Sequence, residues 1–446
     1  MRSTRVCTLL GVVLSAAVCA AQAHAQVPLT PRALGMGGAY IAVARGQESL
    51  FENPANLGLP GTPHWSVGFP QIALGGTVLG FSLNDLKDVK NYDQVSPARA
   101  AELLGQIPNG TDVEAELRVP LASVSIGHTA VGVAYAFAGN HTIGHDIVDL
   151  FLNGYQNGRT NYAVGDTHGR RASYIDIAAG HGRSVGPLSL GVTGHYFIGR
   201  SLSSARLSDP TYCATASSTP VGTVCVPATN TVPQDVNVTY ENVRSTGGHG
   251  FGVDLGAAFQ PIPALTLSAA VDNAFTSMSW DKSLRSRRIV LNRNDFENGD
   301  FAQISNRYDD TETDYNAATA STLQKSLAAG LFDGSDFSRV IRVGGAFAAP
   351  TGTTIAAEYG NRTDDSRLQG FWKQSFSVGV QQRLPVVTLS VGAAKNDASG
   401  SLLSAGLVLG PLKVGIGRLN NGSVNGVDRK GWVASFGVGG QSNVIP

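Results

Sequence analysis

GVDLGAAFQPIPALTLSAAVD, residues 252–272, changes character from one residue to the next with a single break. Val253, Leu255, Ala257 and Phe259 fall on one face of an extended chain, and Gly252, Asp254, Gly256 and Ala258 on the other. After Pro261-Ile262-Pro263 the pattern resumes, with Leu265, Leu267 and Val271 opposite Thr266, Ser268 and Asp272. Side chains of a strand point alternately to its two faces, so the stretch reads as a hairpin with one apolar and one polar face. A barrel in a membrane needs that combination, apolar toward lipid and polar toward a wet lumen. A soluble sandwich shows the same period, so the period alone leaves the class open.

Working outward, similar alternation gives fourteen strands, at 72–81, 115–127, 129–138, 171–183, 187–200, 250–260, 264–280, 338–349, 352–361, 370–384, 386–396, 401–410, 412–420 and 430–440. Tight turns fall near Gly127-His128, Ser184 to Gly186, Pro261 to Pro263, Pro350-Thr351, Pro385 and Pro411. They alternate with longer connections at 82–114, 139–170, 201–249, 281–337, 362–369, 397–400 and 421–429. Short turns on one rim, long loops on the other and an even strand count are the outer-membrane pattern, whereas a sandwich has no reason to segregate its loops. The expected fold is all-β, a transmembrane antiparallel β-barrel of about fourteen strands over 71–440. Pro120 requires a bulge or kink in the second strand. Segment 235–246 also alternates, through Val236, Val238 and Tyr240; placing it in a loop keeps parity and fixes the count to within two. Aromatic residues are 7%, thin for two interfacial girdles.

Composition reads as an ordered, glycine-rich and weakly charged chain. Only 15% of the 446 residues are charged, 54 are glycine, and Lys+Arg equals Asp+Glu at 33. A balanced chain lacks the basic face of a nucleic-acid binder, and 42% apolar residues argue against disorder. Arg2 and Arg5, the apolar run from Leu9 to Ala21, and Ala23-His24-Ala25 read as a secretory signal peptide over 1–25. Beyond it, no uninterrupted run of about 18 apolar residues offers a membrane helix. Cys213 and Cys225 remain in a Ser/Thr/Pro-rich loop; outside the cytoplasm they read as one disulfide, with two free thiols as the other reading.

Residues 27–70 fit no strand. PRALGMGGAYIAVA (31–44) and SLFENPANL (49–57) are stripped of bulk by glycine and alanine, so their backbone can run close to another surface. Asn53-Pro54 starts a turn. These residues resemble the start of the FadL-like outer-membrane barrels, a superfamily of long-chain fatty-acid and aromatic-hydrocarbon transporters and PorV-type barrels. Arg32, Gly35, Gly37, Gly38, Asn53, Pro54 and Ala55 match its pattern. Arg45-Gly46-Gln47-Glu48 stands where acidic residues are usual, and Asn56 replaces a common glycine. The resemblance implies an N-terminal hatch over 26–70 plugging a fourteen-stranded barrel in the outer membrane of a Gram-negative-type bacterium. It implies passive uptake of hydrophobic small molecules, fatty-acid-like or aromatic, without cofactor or catalysis. Two alternatives stand beside it: a PorV-like structural or secretion-partner barrel, and a surface adhesin using the cysteine-closed loop. Expected partners are membrane lipid, a hydrophobic ligand and a secretion or envelope protein, with no nucleic acid.

Other motifs have plainer readings. Gly182-Arg183-Ser184-Val185-Gly186 has the spacing of a nucleophile elbow, but it lies in a hairpin and not in a strand–turn–helix. His141, His145 and Asp146 sit among glycines that favour a loop over a metal site. Asp309, Asp310, Glu312 and Asp314 read as a solvated acidic loop. Asp176, Asp254, Asp272, Arg342 and Glu358 have the parity of the lumen, where one of the acids is expected to pair with Arg32. Ser96-Pro97 starts a helix carrying Leu103 and Leu104. Helical spacing also joins Ile147, Leu150 and Phe151, and Leu323, Leu327 and Leu331. Together these loops form an apolar mouth, or they merely cover one another.

Overall fold

The computed structural model describes residues 30–79, 95–153, 163–208, 211–213, 235–291, 312–333, 337–363, 374–396, 400–424 and 427–442. Its strands are β1 (Trp65–Leu79), β2 (Thr111–Ile126), β3 (Thr129–Ile143), β4 (His168–Val185), β5 (Leu188–Leu207), β6 (Thr211–Cys213), β7 (Asp235–Ser245), β8 (Gly248–Ile262) and β9 (Leu265–Trp280). There follow β10 (Leu284–Leu291), β11 (Thr313–Asp314), β12 (Val340–Ala348), β13 (Thr353–Arg362), β14 (Gln374–Arg383), β15 (Val387–Asn396), β16 (Ser401–Leu409), β17 (Leu412–Val424) and β18 (Val427–Gln441). Antiparallel pairing runs through β1 to β5, crosses to β8 and β9, then to β12, and continues to β18. Pairing of β18 with β1 closes a ring of fourteen strands. These are the fourteen alternating segments, with ends moved by a few residues.

Two departures and one expected bulge have local causes. β1 begins at Trp65, so residues 65–70 belong to the wall and not to the N-terminal segment. Pro70 and a register shift between Phe69 and Ile72 break the parity that would have announced it. The bulge demanded by Pro120 is present as a shift between Pro120 and Ala122. Segment 235–246 is a strand, β7, outside the ring; it pairs with the loop-side end of β5 and with β10, so the long loops hold a ribbon of their own.

No helix among the described residues is long and apolar enough to cross a membrane. The wall crosses instead, with Val, Leu, Ile and Phe outward and Gly, Ala, Ser and Thr inward. Outward aromatics form two bands. Trp65, Phe69, Phe259, Phe347 and Phe436 lie toward the short-turn rim, and Phe251, Phe275, Tyr359, Phe376 and Trp432 toward the long-loop rim. Concentration at two levels lets a modest aromatic content supply both girdles. The wall is uneven in height: β4 and β5 have 18 and 20 residues, β12 and β16 only 9 each.

Five α-helices stand among the described residues: α1 (Pro31–Gly35), α2 (Ser49–Glu52), α3 (Pro97–Gln106), α4 (His145–Asn153) and α5 (Thr322–Gly330). Ser96 Oγ accepts from Arg99 N at 3.3 Å and Pro97 opens α3, the start expected there. Ser321 and Gln324 form a capping box on α5.

Candidate functional site

Residues 30–59 lie inside the ring, with Leu34, Met36, Tyr40, Ile41, Leu50 and Leu57 fully buried. Local chemistry bends the segment. Thr30 caps α1 by accepting from Ala33 N at 3.1 Å, Gly37 takes φ 67°, and Asn53 Oδ1 accepts from Ala55 N at 3.0 Å. Wall glycines make room: a Cβ on Gly392 would overlap the backbone of Met36 and Gly37, and one on Gly191 that of Pro54 and Ala55. Polar side chains then tie the segment to the wall. Asn53 Nδ2 donates to Ala257 O at 3.2 Å, Ser189 Oγ to Ala55 O at 2.6 Å and Thr193 Oγ1 to Leu50 O at 3.2 Å. Asn56, where the resemblance has glycine, donates to Ile41 O at 2.7 Å and Ala44 O at 3.2 Å, joining two legs of the segment. Ser184, of the elbow-like spacing, ends a strand hairpin and donates to Gly58 O.

Two charge centres hold the same segment. Glu48 meets Arg32 at 3.1 Å, Lys413 of β17 at 2.6 Å and the Tyr40 hydroxyl at 2.5 Å. Burial pushes the Glu48 carboxyl up, but Lys413 and Arg32 outweigh it and hold it at about 2. On the other side Arg342 of β12 meets Glu52 and Glu358 at 2.7 Å each and Asp272 at 3.6 Å. The second Glu358 oxygen accepts from Tyr40 N and Ile41 N, both at 2.9 Å. The expected pairing of Arg32 with a wall acid is therefore corrected: its carboxylate partner is Glu48 of the segment, while Glu358 is engaged by Arg342 and two backbone N–H groups. Asp176 and Asp254 bracket His195, each 3.0 Å from a ring nitrogen. Asp254 also accepts from Asn273 N at 2.6 Å, where β9 bulges and Asn273 takes φ 53°.

His195 stacks on Phe197, with centroids 5.7 Å apart, and there the lumen turns apolar. Phe197 stacks on Phe337 at 4.5 Å, and Tyr174 meets both edge-on at 5.6 and 5.3 Å. Trp280, Leu202, Val243 and Leu331 complete the cluster, with Leu327 of α5 packed against it. Trp280 Nε1 is buried with no acceptor among the described residues. The apolar loop residues divide between two places. Leu103 and Ile147 are buried where α3 and α4 pack together, Leu104 is half-buried on α3, and α5 brings Leu327 to the aromatic cluster with Leu323 half-buried nearby. The side chains of Leu150 and Phe151 lie outside the described residues.

The remaining candidates fall as follows. His141 is in β3 and His145 opens α4, a helix where a loop was expected, with His145 Nδ1 3.2 Å from Asp146. Among the described residues no group of three or more His, Cys, Asp or Glu could hold a metal. Glu312 pairs with Arg244 at 2.5 Å and Arg287 at 3.2 Å and braces the outer ribbon, whereas Asp314, 2.6 Å from Arg285, is exposed to solvent as expected. Asp309, Asp310, Cys225, the Cys213 side chain and segment 1–25 lie outside the described residues. Glu52, Lys413 and His195 carry no motif in the sequence, and Glu48 stands only as part of a departure from the family pattern; His195, sharing parity with Thr193 and Phe197, and Lys413, sharing parity with Gly415, carry the signal of an inward position.

Solved structures similar to the chain include the Ralstonia pickettii toluene transporter TbuX, at 13% identity over 94% of this chain and 99% of that one, TM-score 0.49. A Pseudomonas aeruginosa FadL homologue follows at 12%, covering 95% and 99%, TM-score 0.47. The P. putida toluene transporter TodX matches at 10%, covering 94% and 100%, TM-score 0.49. No curated protein matches. A family described as of unknown function, DUF5723, matches residues 58–415, which is most of the ring, and the chain belongs to that family.

Proposed function

We propose that the protein is an outer-membrane barrel for passive, energy-independent uptake of a hydrophobic small molecule, fatty-acid-like or aromatic. The observation that carries this reading is the change of lumen character at His195 and Phe197: polar and segment-filled toward the short turns, aromatic toward the long loops. A guest arriving from the long-loop side meets the Phe197–Phe337–Tyr174 cluster, where the Trp280 N–H is a donor suited to one polar atom of the guest. Onward passage requires residues 30–64 to act as a hatch. The polar contacts they must release can be taken over by water as the segment moves, and the packing of Leu34, Ile41, Leu50 and Leu57 against wall residues must slide with it. The resemblance of residues 32–57 supports the same reading, with the outer membrane of a Gram-negative-type bacterium as the setting. The test is uptake of a labelled fatty acid and of labelled toluene into proteoliposomes. Accumulation above empty vesicles, changed by deleting residues 30–60, is expected; no accumulation of either compound rejects the proposal.

A second reading is favoured by the close stacking at 4.5 Å, which fills the upper lumen: a PorV-like barrel that serves a protein partner. Native mass spectrometry of barrel extracted from its own membrane separates the two. A retained hydrophobic molecule favours uptake, and a retained protein favours the scaffold. The adhesin reading depends on the cysteine loop, outside the described residues.

A further inference from the structure

We propose that the outer wall carries a docking site for a phosphate-bearing acyl lipid, on the long-loop half of β14 to β17. From β12 to β18, the outward-facing side chains described are apolar, small or uncharged, with two exceptions: Lys395 on β15 and Arg418 on β17. The two exceptions share one groove of about 550 Å³, lined also by Phe376, Val378, Leu403 and Asn420. The register explains the meeting. Lys395 stands opposite Phe376 and Ser401, while Arg418 stands opposite Leu403 and Trp432, one row nearer the middle of the wall. Neither cation has a carboxylate partner among the described residues.

A cation facing lipid costs about 2–4 kcal/mol at the midplane and about 0–1 near the interface, so isolated ones are placed at the edge and reach outward. Lys395, one residue from the end of β15, fits that rule. Arg418 sits deeper, and two unpaired cations over an apolar floor need a counter-charge that itself resides in the lipid phase. A lipid phosphate supplies it: the Arg fork binds two of its oxygens and the Lys ammonium a third as a point charge. The exposed faces of Val378 and Leu403, one row below Lys395, accept the acyl chain, with Phe376 level with Lys395 and Trp432 level with Arg418. A soluble anion would gain nothing from that apolar floor. The site depends only on the barrel spanning a membrane and is independent of what passes through the lumen.

The test uses the full chain in detergent, titrated with phosphatidylglycerol or phosphatidylcholine and read by native mass spectrometry. Phosphatidylglycerol adducts are expected to exceed phosphatidylcholine adducts by roughly tenfold. K395Q/R418Q should reduce the former to the latter, while K395R should retain them. Heat-modifiable electrophoretic mobility verifies that each variant is a folded barrel. Equal adducts on wild type and K395Q/R418Q overturn the proposal. So does an equal loss in R200Q, which removes an exposed cation from β5 and would reveal a non-specific charge effect. Full displacement of phosphatidylglycerol by millimolar inorganic phosphate also overturns it, in favour of a soluble-anion site.

Discussion

Around Glu48 one carboxylate gathers two cations, and around Arg342 one cation gathers three carboxylates. Both centres join the same N-terminal segment to the wall, yet they differ in what their loss leaves behind. Without Lys413, Glu48 keeps Arg32 and the Tyr40 hydroxyl. Without Arg342, Glu52, Glu358 and Asp272 face one another with their shared counter-ion gone. Breaking a buried ionic group is costly chiefly through the charge left unpaired, so the two sides of the segment are not equally secure. The aromatic cluster above them uses no charge and is expected to yield independently.

The largest effect should come from Arg342→Leu, costing the segment about 3–5 kcal/mol of attachment. Limited proteolysis of the folded barrel should then cut within residues 30–60, and closed-state conductance in planar bilayers should rise. Lys413→Met should do the same more weakly, about 1.5–3 kcal/mol, because one hydrogen-bonded charge partner of Glu48 remains. If Lys413→Met exposes the segment more than Arg342→Leu, the contrast between the centres is wrong. Phe337→Leu sharpens the second contrast. It loses the aromatic pair terms, about 0.5–1.5 kcal/mol, and should loosen the upper lumen by hydrogen exchange while leaving the proteolysis pattern of residues 30–60 unchanged. Smallest is an acid effect on the outer ribbon. Slight burial raises the Glu312 carboxyl, but Arg244 and Arg287 bring it below its ordinary 4.5. A depressed folded value gives stability that is full above pH 4.5 and lost as pH falls through the lowered value, so exchange in β7 and β10 should accelerate only on acidification below 4.5. No such change, or acceleration on raising the pH, would remove Glu312 from the account.

How much of this was legible depended on whether the deciding contact was local. The strands could be read because parity and turn residues are properties of neighbours in sequence, and α3 because Ser96 and Pro97 mark its first turn. β1 was read seven residues short because Pro70 and its bulge shift the parity at its start. The charge centres were half legible. Asp272, Arg342 and Glu358 betray themselves as charges at inward positions, and Glu52 does not, because its partner Arg342 is 290 residues away and nothing in the segment's own pattern calls for it. Lys413 has inward parity beside Gly415 and could have been read with the others; its partner Glu48 could not.

The seam that closes the ring joins the first wall strand to the last, with Ser66 opposite Gln441 and Leu79 opposite Arg429. Both sides of β1 and of β18 are thereby paired within the molecule along most of their length. A chain cut before β18 would open two strand borders at once, one on β17 and one on β1, each a template on which another chain could add. A break at a tight turn would open none. The final fifteen residues of wall thus decide whether the molecule stays a solitary ring or becomes a building block for unplanned assemblies.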